Sequence, residues 1–204
     1  MATAVAALQG ADPAMARVIE QLGPLKLRPR GTDHFAALAR SILYQQLAGA
    51  AAAAIHGRFI TAVGGSVTPE AVLAAGEVPL RGAGLSGAKA AAILDLATQV
   101  ATGMLVLEGV ERLTDDEIVA RLVGVRGIGP WTAHMFLIFQ LRRMDVWPVG
   151  DYGVRKGYAI AHGLAEAPTA RELEALGDVY RPHRTVAALY CWRAVDGFAA
   201  PPGW

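Results

Sequence analysis

Leu122-Val-Gly-Val-Arg-Gly-Ile-Gly-Pro-Trp-Thr-Ala133 is the stretch of this sequence best suited to hold an anion. Gly127 and Gly129 stand two apart between two apolar helical runs, where glycine permits positive φ and close backbone approach. Pro130 suits the first turn of the helix that follows. The free N–H groups and the dipole of that helix then face whatever occupies the turn. The same spacing also builds an ordinary helix–turn–helix corner, and both readings stand on the residues alone. It is not a dinucleotide fingerprint, because no strand precedes it and the third glycine is missing.

Asp151 stands before another helical run, and by residue type alone it is a helix N-cap. Tyr44, Trp131, Trp147 and Trp192 offer flat, electron-rich surfaces for stacking on a cationic ring. Each is equally at home in a core. Arg126, Arg142, Arg143, Arg155 and Lys156 flank the hairpin and the Asp151 region and form a candidate basic face. Lys89 and Lys156 read as surface or phosphate-facing charges. The five histidines show no metal spacing with carboxylates, so no metal is expected. Serine-nucleophile and Walker motifs are absent.

Helices must position these residues. Asp12 can cap a first helix that opens on Pro13. Gly23–Gly31 reads as a linker. Asp33 can cap a long helix with Phe35, Leu38, Ile42, Leu43 and Leu47 on one face, continuing through an alanine block to about Phe59. Gly64–Gly65 and Thr68–Pro69 mark a break and a start. A glycine-rich turn at Arg81–Gly87 leads into Ala88–Ala101. Thr114 and Glu117 have capping-box spacing. Pro130–Leu141 is apolar nearly all round and reads as a central helix. Asp151 and Thr169 cap two more helices, and Arg184–Val195 is the last. No strand alternation and no fixed-period repeat occur.

The bulk numbers agree. The chain has 204 residues, 53% of them hydrophobic, which supports one domain or two small lobes and argues against disorder. Alanine dominates that fraction and favours helix. A formal net charge of +1 does not by itself point to nucleic acid. One cysteine, Cys191, excludes an internal disulfide framework and a four-cysteine zinc or iron–sulfur site, and fits a reducing cytoplasm. No basic residue precedes Arg17, so the start reads as a frayed first helix rather than a signal peptide. No membrane span is expected.

Val125-Arg-Gly-Ile-Gly-Pro-Trp-Thr-Ala133 resembles the helix-hairpin-helix of the DNA glycosylase superfamily, and most closely that of the 3-methyladenine DNA glycosylases II. Asp145-Val-Trp-Pro-Val-Gly-Asp-Tyr-Gly-Val154 falls where that family carries its catalytic aspartate. Arg40-Ser-Ile-Leu-Tyr-Gln-Gln-Leu-Ala48 resembles the helix that ends at the DNA wedge. Gly84-Leu-Ser-Gly-Ala-Lys89 resembles the next block, and Arg181–Trp192 resembles the helix that lines the base pocket. The four blocks occur in family order across roughly residues 12 to 197, without the N-terminal sheet domain of some relatives.

The resemblance implies an all-α fold: two helical lobes, a helix-hairpin-helix, and an active-site cleft between the lobes. The approximate lobes are 32–125, and 1–31 with 126–204. It implies a monofunctional glycosylase that flips out alkylated bases of the 3-methyladenine and 7-methylguanine type and leaves an abasic site. Asp151 is then the catalytic carboxylate, in place of a plain cap. Tyr44, Trp131, Met135, Trp147 and Trp192 form the base pocket, with Met135 where some relatives have tyrosine. Gln46 is the wedge, and Arg126, Gly127, Ile128, Gly129 and Thr132 hold DNA. Trp131 stands where strand-cutting relatives carry a Schiff-base lysine. Gly150 replaces a second acid found in many relatives. No cofactor is implied beyond a monovalent cation on hairpin carbonyls. The implied partner is damaged double-stranded DNA. The implied protein is a cytoplasmic monomer, nucleoid-associated in a bacterium, and touches no membrane. Two alternatives remain at this point: a glycosylase for oxidised or deaminated bases, and a DNA-binding module without catalysis.

Overall fold

The computed structural model describes residues 1–27, 31, 33–47 and 49–195. Among them the regular structure is helical and contains no strand. No helix of the described residues is long and apolar enough to cross a membrane.

The chain divides into two compact units. Among the described residues the first takes 1–27 and 142–195, and the second takes 31 and 33–141. The expected boundary at 125/126 is corrected to 141/142. The hairpin and the helix after it are tied by hydrogen bonds and close packing to helices that precede them in the second unit, as described below.

The first unit opens with α1 (Ala2–Ala11) and α2 (Pro13–Leu22). Asp12 ends one and caps the other, accepting from the Ala14 N–H at 2.8 Å. Pro13 holds the first position of α2, as expected. The unit closes with α10 (Tyr152–His162), α11 (Ala170–Leu176) and α12 (Arg184–Val195). The Asp151 and Thr169 side chains cap α10 and α11 as their types predict. Leu8, Met15, Val154, Leu173, Tyr180, Tyr190 and Cys191 form the core. Helices α10 and α12 meet so closely that a Cβ at Gly157 would collide with the Cys191 backbone carbonyl. Asp12 is buried, and its Oδ2 accepts from the Tyr180 hydroxyl at 2.5 Å and lies 2.8 Å from His162 Nε2.

The second unit holds α3 (His34–Tyr44), α4 (Gly49–Ala62), α5 (Pro69–Ala75), α6 (Glu77–Gly82), α7 (Gly87–Ala101), α8 (Asp115–Leu122) and α9 (Pro130–Met135). Asp33, Thr68, Ser86 and Thr114 cap their helices, and Thr114 with Glu117 forms the expected capping box. Two expectations fail here. The helix that starts at Asp33 does not run to Phe59: it stops at Tyr44, Gln46 takes φ 55°, and α4 begins anew at Gly49. Alanine-rich sequence raises helix propensity on both sides of the break and hides it. Pro130–Leu141 is not one α-helix either. After Met135 it widens into a π-helical turn over Phe136–Gln140. Such turns concentrate where function bends a helix.

Candidate active site and nucleic-acid interface

In the second unit the hairpin links α8 to α9. Gly127 takes φ 79°, and its missing Cβ would lie 2.8 Å from the Ala92 Cβ on α7. Positive φ and tight packing thus both demand glycine there. Ile128 is 4% exposed and pins the turn into the core. Asp95 Oδ2 accepts the Arg126 N–H at 2.8 Å and the Gln99 side-chain amide at 2.8 Å. The Ile128 N–H donates to Val125 O at 3.1 Å. The amides of Gly127 and Gly129 have no such partner among the described residues. They lie beside the start of α9, where the dipole favours an anion. The two glycine amides are therefore the donors of this turn left available to an anion. Arg126 contributes an exposed side chain instead of its amide.

This corrects three expected roles. Ile128 is core packing, and its side chain and amide are both occupied. Thr132 is 3% exposed and accepts the Gln45 side-chain amide at 3.0 Å, so its hydroxyl braces the turn instead of facing DNA. Met135 is 2% exposed and belongs to the buried hydrophobic residues. Trp131, one position into α9, stays partly exposed. Tyr44 is also partly exposed, with the Arg40 guanidinium 4.3 Å over its ring and His56 edge-on at 5.9 Å. Burial, and then the Arg40 charge, hold His56 below the usual imidazole range.

Gln46 and Leu47 are exposed just beyond α3. Sequence reading missed the residues around them. Gln45 donates to Gly127 O at 2.9 Å, and Lys89 Nζ donates to Leu43 O at 2.7 Å and Gln45 O at 2.6 Å. Lys89 is therefore not a surface or phosphate-facing charge. Its burial lowers the ammonium pKa.

In the first unit Asp151 is partly exposed. Its Oδ1 accepts two N–H groups, from Val154 at 2.9 Å and from the Trp192 indole at 2.9 Å. The carboxylate is thus tied to α10 through its own cap and to α12 through an aromatic side chain. Helix α12 also grips the polypeptide leading to Asp151. Arg184 donates from Nε to Asp145 Oδ1 at 2.8 Å and from Nη2 to Asp145 O at 2.7 Å. The Thr185 hydroxyl donates to Arg143 O at 2.8 Å and accepts from the Val146 N–H at 3.0 Å. Asp145, Arg184 and Thr185 escaped sequence reading, because a pairing across 39 residues leaves no local pattern. Trp147 was expected in the base pocket, and its own surroundings are those of a core residue. It is 5% exposed, its indole N–H donates to Leu173 O at 2.8 Å, and its ring meets Tyr180 edge-on. Among the basic residues expected to flank the site, Arg155 lies over the Tyr152 ring and donates to Pro168 O at 3.3 Å, while Lys156 is exposed. No group of three or more histidine, cysteine or acidic side chains able to hold a metal occurs among the described residues.

Comparison with known proteins places these features. The chain is 34% identical over 193 residues to DNA-3-methyladenine glycosylase 1 of Schizosaccharomyces pombe, covering 91% of this chain and 84% of that protein. The solved S. pombe 3-methyladenine DNA glycosylase in complex with abasic DNA superposes with a TM-score of 0.84 at 33% identity, over 94% of this chain and 95% of that one. A DNA-3-methyladenine glycosidase structure from Bacillus halodurans gives a TM-score of 0.84 at 34% identity, over 96% and 90%. Residues 39–182, which include the hairpin, Asp145 and Asp151, match the HhH-GPD superfamily of base excision DNA repair proteins, and the chain belongs to that family.

Proposed function

We propose that this protein is a monofunctional DNA glycosylase that removes alkylated bases of the 3-methyladenine and 7-methylguanine type from duplex DNA and leaves an abasic site. The observation that carries the reading is the Asp151 carboxylate, held by the Val154 and Trp192 N–H groups beside a partly exposed indole. Relatives named as 3-methyladenine glycosylases support the choice of substrate class.

The chemistry follows from charge. An alkylated purine is already cationic, so its C1′–N bond breaks with the electron pair leaving on the base, which departs neutral. The sugar is left as an oxocarbenium ion. A fixed carboxylate stabilises that cation by an interaction that grows only as the bond breaks. Water then adds at C1′, and its proton passes to Asp151. No strong general acid is required. Trp192 both orients Asp151 and offers an electron-rich face. Trp131 cannot form a Schiff base, so the reaction ends at base release. The Gly127 and Gly129 amides hold a backbone phosphate. The target nucleotide must leave the stack to be reached, which Gln46 assists by filling the gap. Double-stranded DNA is the partner, and the chain acts as a monomer.

The test is direct. Methylated duplex DNA is incubated with the protein, and released bases are identified by mass spectrometry. Release of 3-methyladenine or 7-methylguanine with intact strands is expected. Retention of every alkylated base rejects the reading, and strand cleavage rejects the monofunctional part of it.

A further inference from the structure

Gln45 and Lys89 take no part in the chemistry above, yet they define the turn that carries Gln46. Helix α3 ends at Tyr44, and its last carbonyls need partners. Lys89, from the first turn of α7, supplies them at Leu43 O and Gln45 O. A cation there also opposes the negative end of the α3 dipole. The Gln45 backbone leaves the helix with φ −51° and ψ 130°. Its side chain crosses to Gly127 O on the hairpin and to Thr132 Oγ1 at the start of α9. Gln46 is then driven to φ 55°, and the Leu47 N–H closes the turn on Tyr44 O at 3.3 Å.

A left-handed backbone costs a residue with a side chain roughly 1–2 kcal/mol. An exposed turn under no constraint relaxes out of it. Here four hydrogen bonds, each spanning 44 or more positions of the chain, hold the turn that imposes it. Imposed strain at an exposed polar tip marks a position held for use. The carbonyl that Gln45 grips belongs to Gly127, whose own amide has no backbone acceptor among the described residues. The tip and the anion-binding turn are thus one rigid piece.

We propose that Gln45 and Lys89 are positioning residues for base extrusion: they lock the Gln46–Leu47 turn onto the Gly127–Gly129 hairpin, so that seating a phosphate also sets the depth of the probing side chains. This rests on the glycosylase reading. Extrusion costs a few kcal/mol of unstacking. A loose turn yields to the closing stack, whereas a braced one holds it open.

The test uses the full chain and a duplex carrying 2-aminopurine beside an abasic-site analogue, whose fluorescence rises when the neighbour unstacks. Gln45→Met keeps side-chain length and removes both donors. Lys89→Met removes the cation, and Lys89→Arg keeps it. Melting is expected to stay within about 3 °C of the parent in all three. Affinity for undamaged duplex stays within about twofold, because the phosphate-binding amides are untouched. The aminopurine rise shrinks, and single-turnover base release slows about tenfold, in both Met variants. Lys89→Arg restores both readouts. Adding Gln45→Met to Gln46→Ala slows release no further than Gln46→Ala alone, because Gln45 acts through that turn.

The proposal is overturned if both Met variants match the parent, if their losses multiply with Gln46→Ala, or if undamaged-DNA binding falls in proportion to rate. Loss of cooperative melting in both Met variants overturns it too, since that marks a folding role. If the parent releases no base but raises the aminopurine signal and Gln45→Met lowers it, the positioning role holds and the glycosylase reading falls. If the parent leaves the signal unchanged, the positioning role falls.

Discussion

The Trp192 indole N–H and the Val154 backbone N–H converge on one oxygen, Asp151 Oδ1, each at 2.9 Å. Cap and aromatic neighbour therefore share the job of aiming the carboxylate. Removing charge and removing aim become separable experiments.

Asp151→Asn removes the charge and keeps a good N-cap, so the fold should hold within about 0.5 kcal/mol in urea unfolding. Single-turnover release of alkylated bases should drop on the order of a thousandfold, the scale set by losing a preorganised charge partner of the transition state. Binding to a methylated duplex should persist. An Asn variant that still releases bases at the parent rate removes Asp151 from the chemistry.

Trp192→Phe removes the aim and leaves the charge. The ring still packs against α10, and one hydrogen bond to a carboxylate disappears, a loss of about 1.5 kcal/mol in stability. Base release should slow about tenfold as Asp151 samples other rotamers. Equal rates for Phe and Trp at this position would show that the indole N–H does not matter.

The two hairpin glycines should respond differently to alanine. At Gly127, φ 79° and the Ala92 contact oppose a Cβ, so Gly127→Ala must displace the turn and weaken duplex binding about tenfold or more. At Gly129, φ is −97° and no atom lies within 4 Å of the added carbon. Gly129→Ala should keep its melting temperature. Fluorescence anisotropy with an abasic duplex, beside a melting scan, separates the two. Equal affinities for the Gly127→Ala variant and the parent contradict the role given to this turn.

Acid sensitivity should trace to Asp12. Burial pushes its carboxyl upward, but the Tyr180 hydroxyl, His162 and the Ala14 N–H outweigh that, and it stays below the ordinary carboxylate range. A carboxyl lowered in the folded state stabilises fully above its unfolded value of about 3.9, and that stability is lost as pH falls through the folded value. Asp12→Asn should cost about 2 kcal/mol at neutral pH. The gap between the parent and Asp12→Asn in urea unfolding should close as pH drops from about 5 to below 3. A gap that stays constant over that window would remove Asp12 from the acid response.

The sequence made the helical class and most caps legible, because Asp12, Asp33, Thr114, Asp151 and Thr169 are local signals that act within three residues. It also showed the hairpin, since Gly127-x-Gly129 before Pro130 is a short-range pattern. What it hid was long-range or masked by propensity. The break after Tyr44 lies between a helical face and an alanine block, and its causes, Lys89 and Gly127, are 45 and 83 positions from Tyr44 in the chain. Trp147 looked like Trp192 in type. Only packing sends one to Leu173 O and the other to Asp151. Met135 and Ile128 read as site residues by position in a motif, while burial assigns their side chains to the core.

Cys191 sits where α12 presses on Gly157, fully enclosed, and burial followed by the Asp12 and Asp151 charges pushes its thiol far above the range in which thiolate forms. Electrophiles that methylate DNA also seek soft sulfur, and they react with its anion. The single sulfhydryl in this chain is both shielded and held protonated, so that thiol should resist the same methylating agents that generate the proposed substrates.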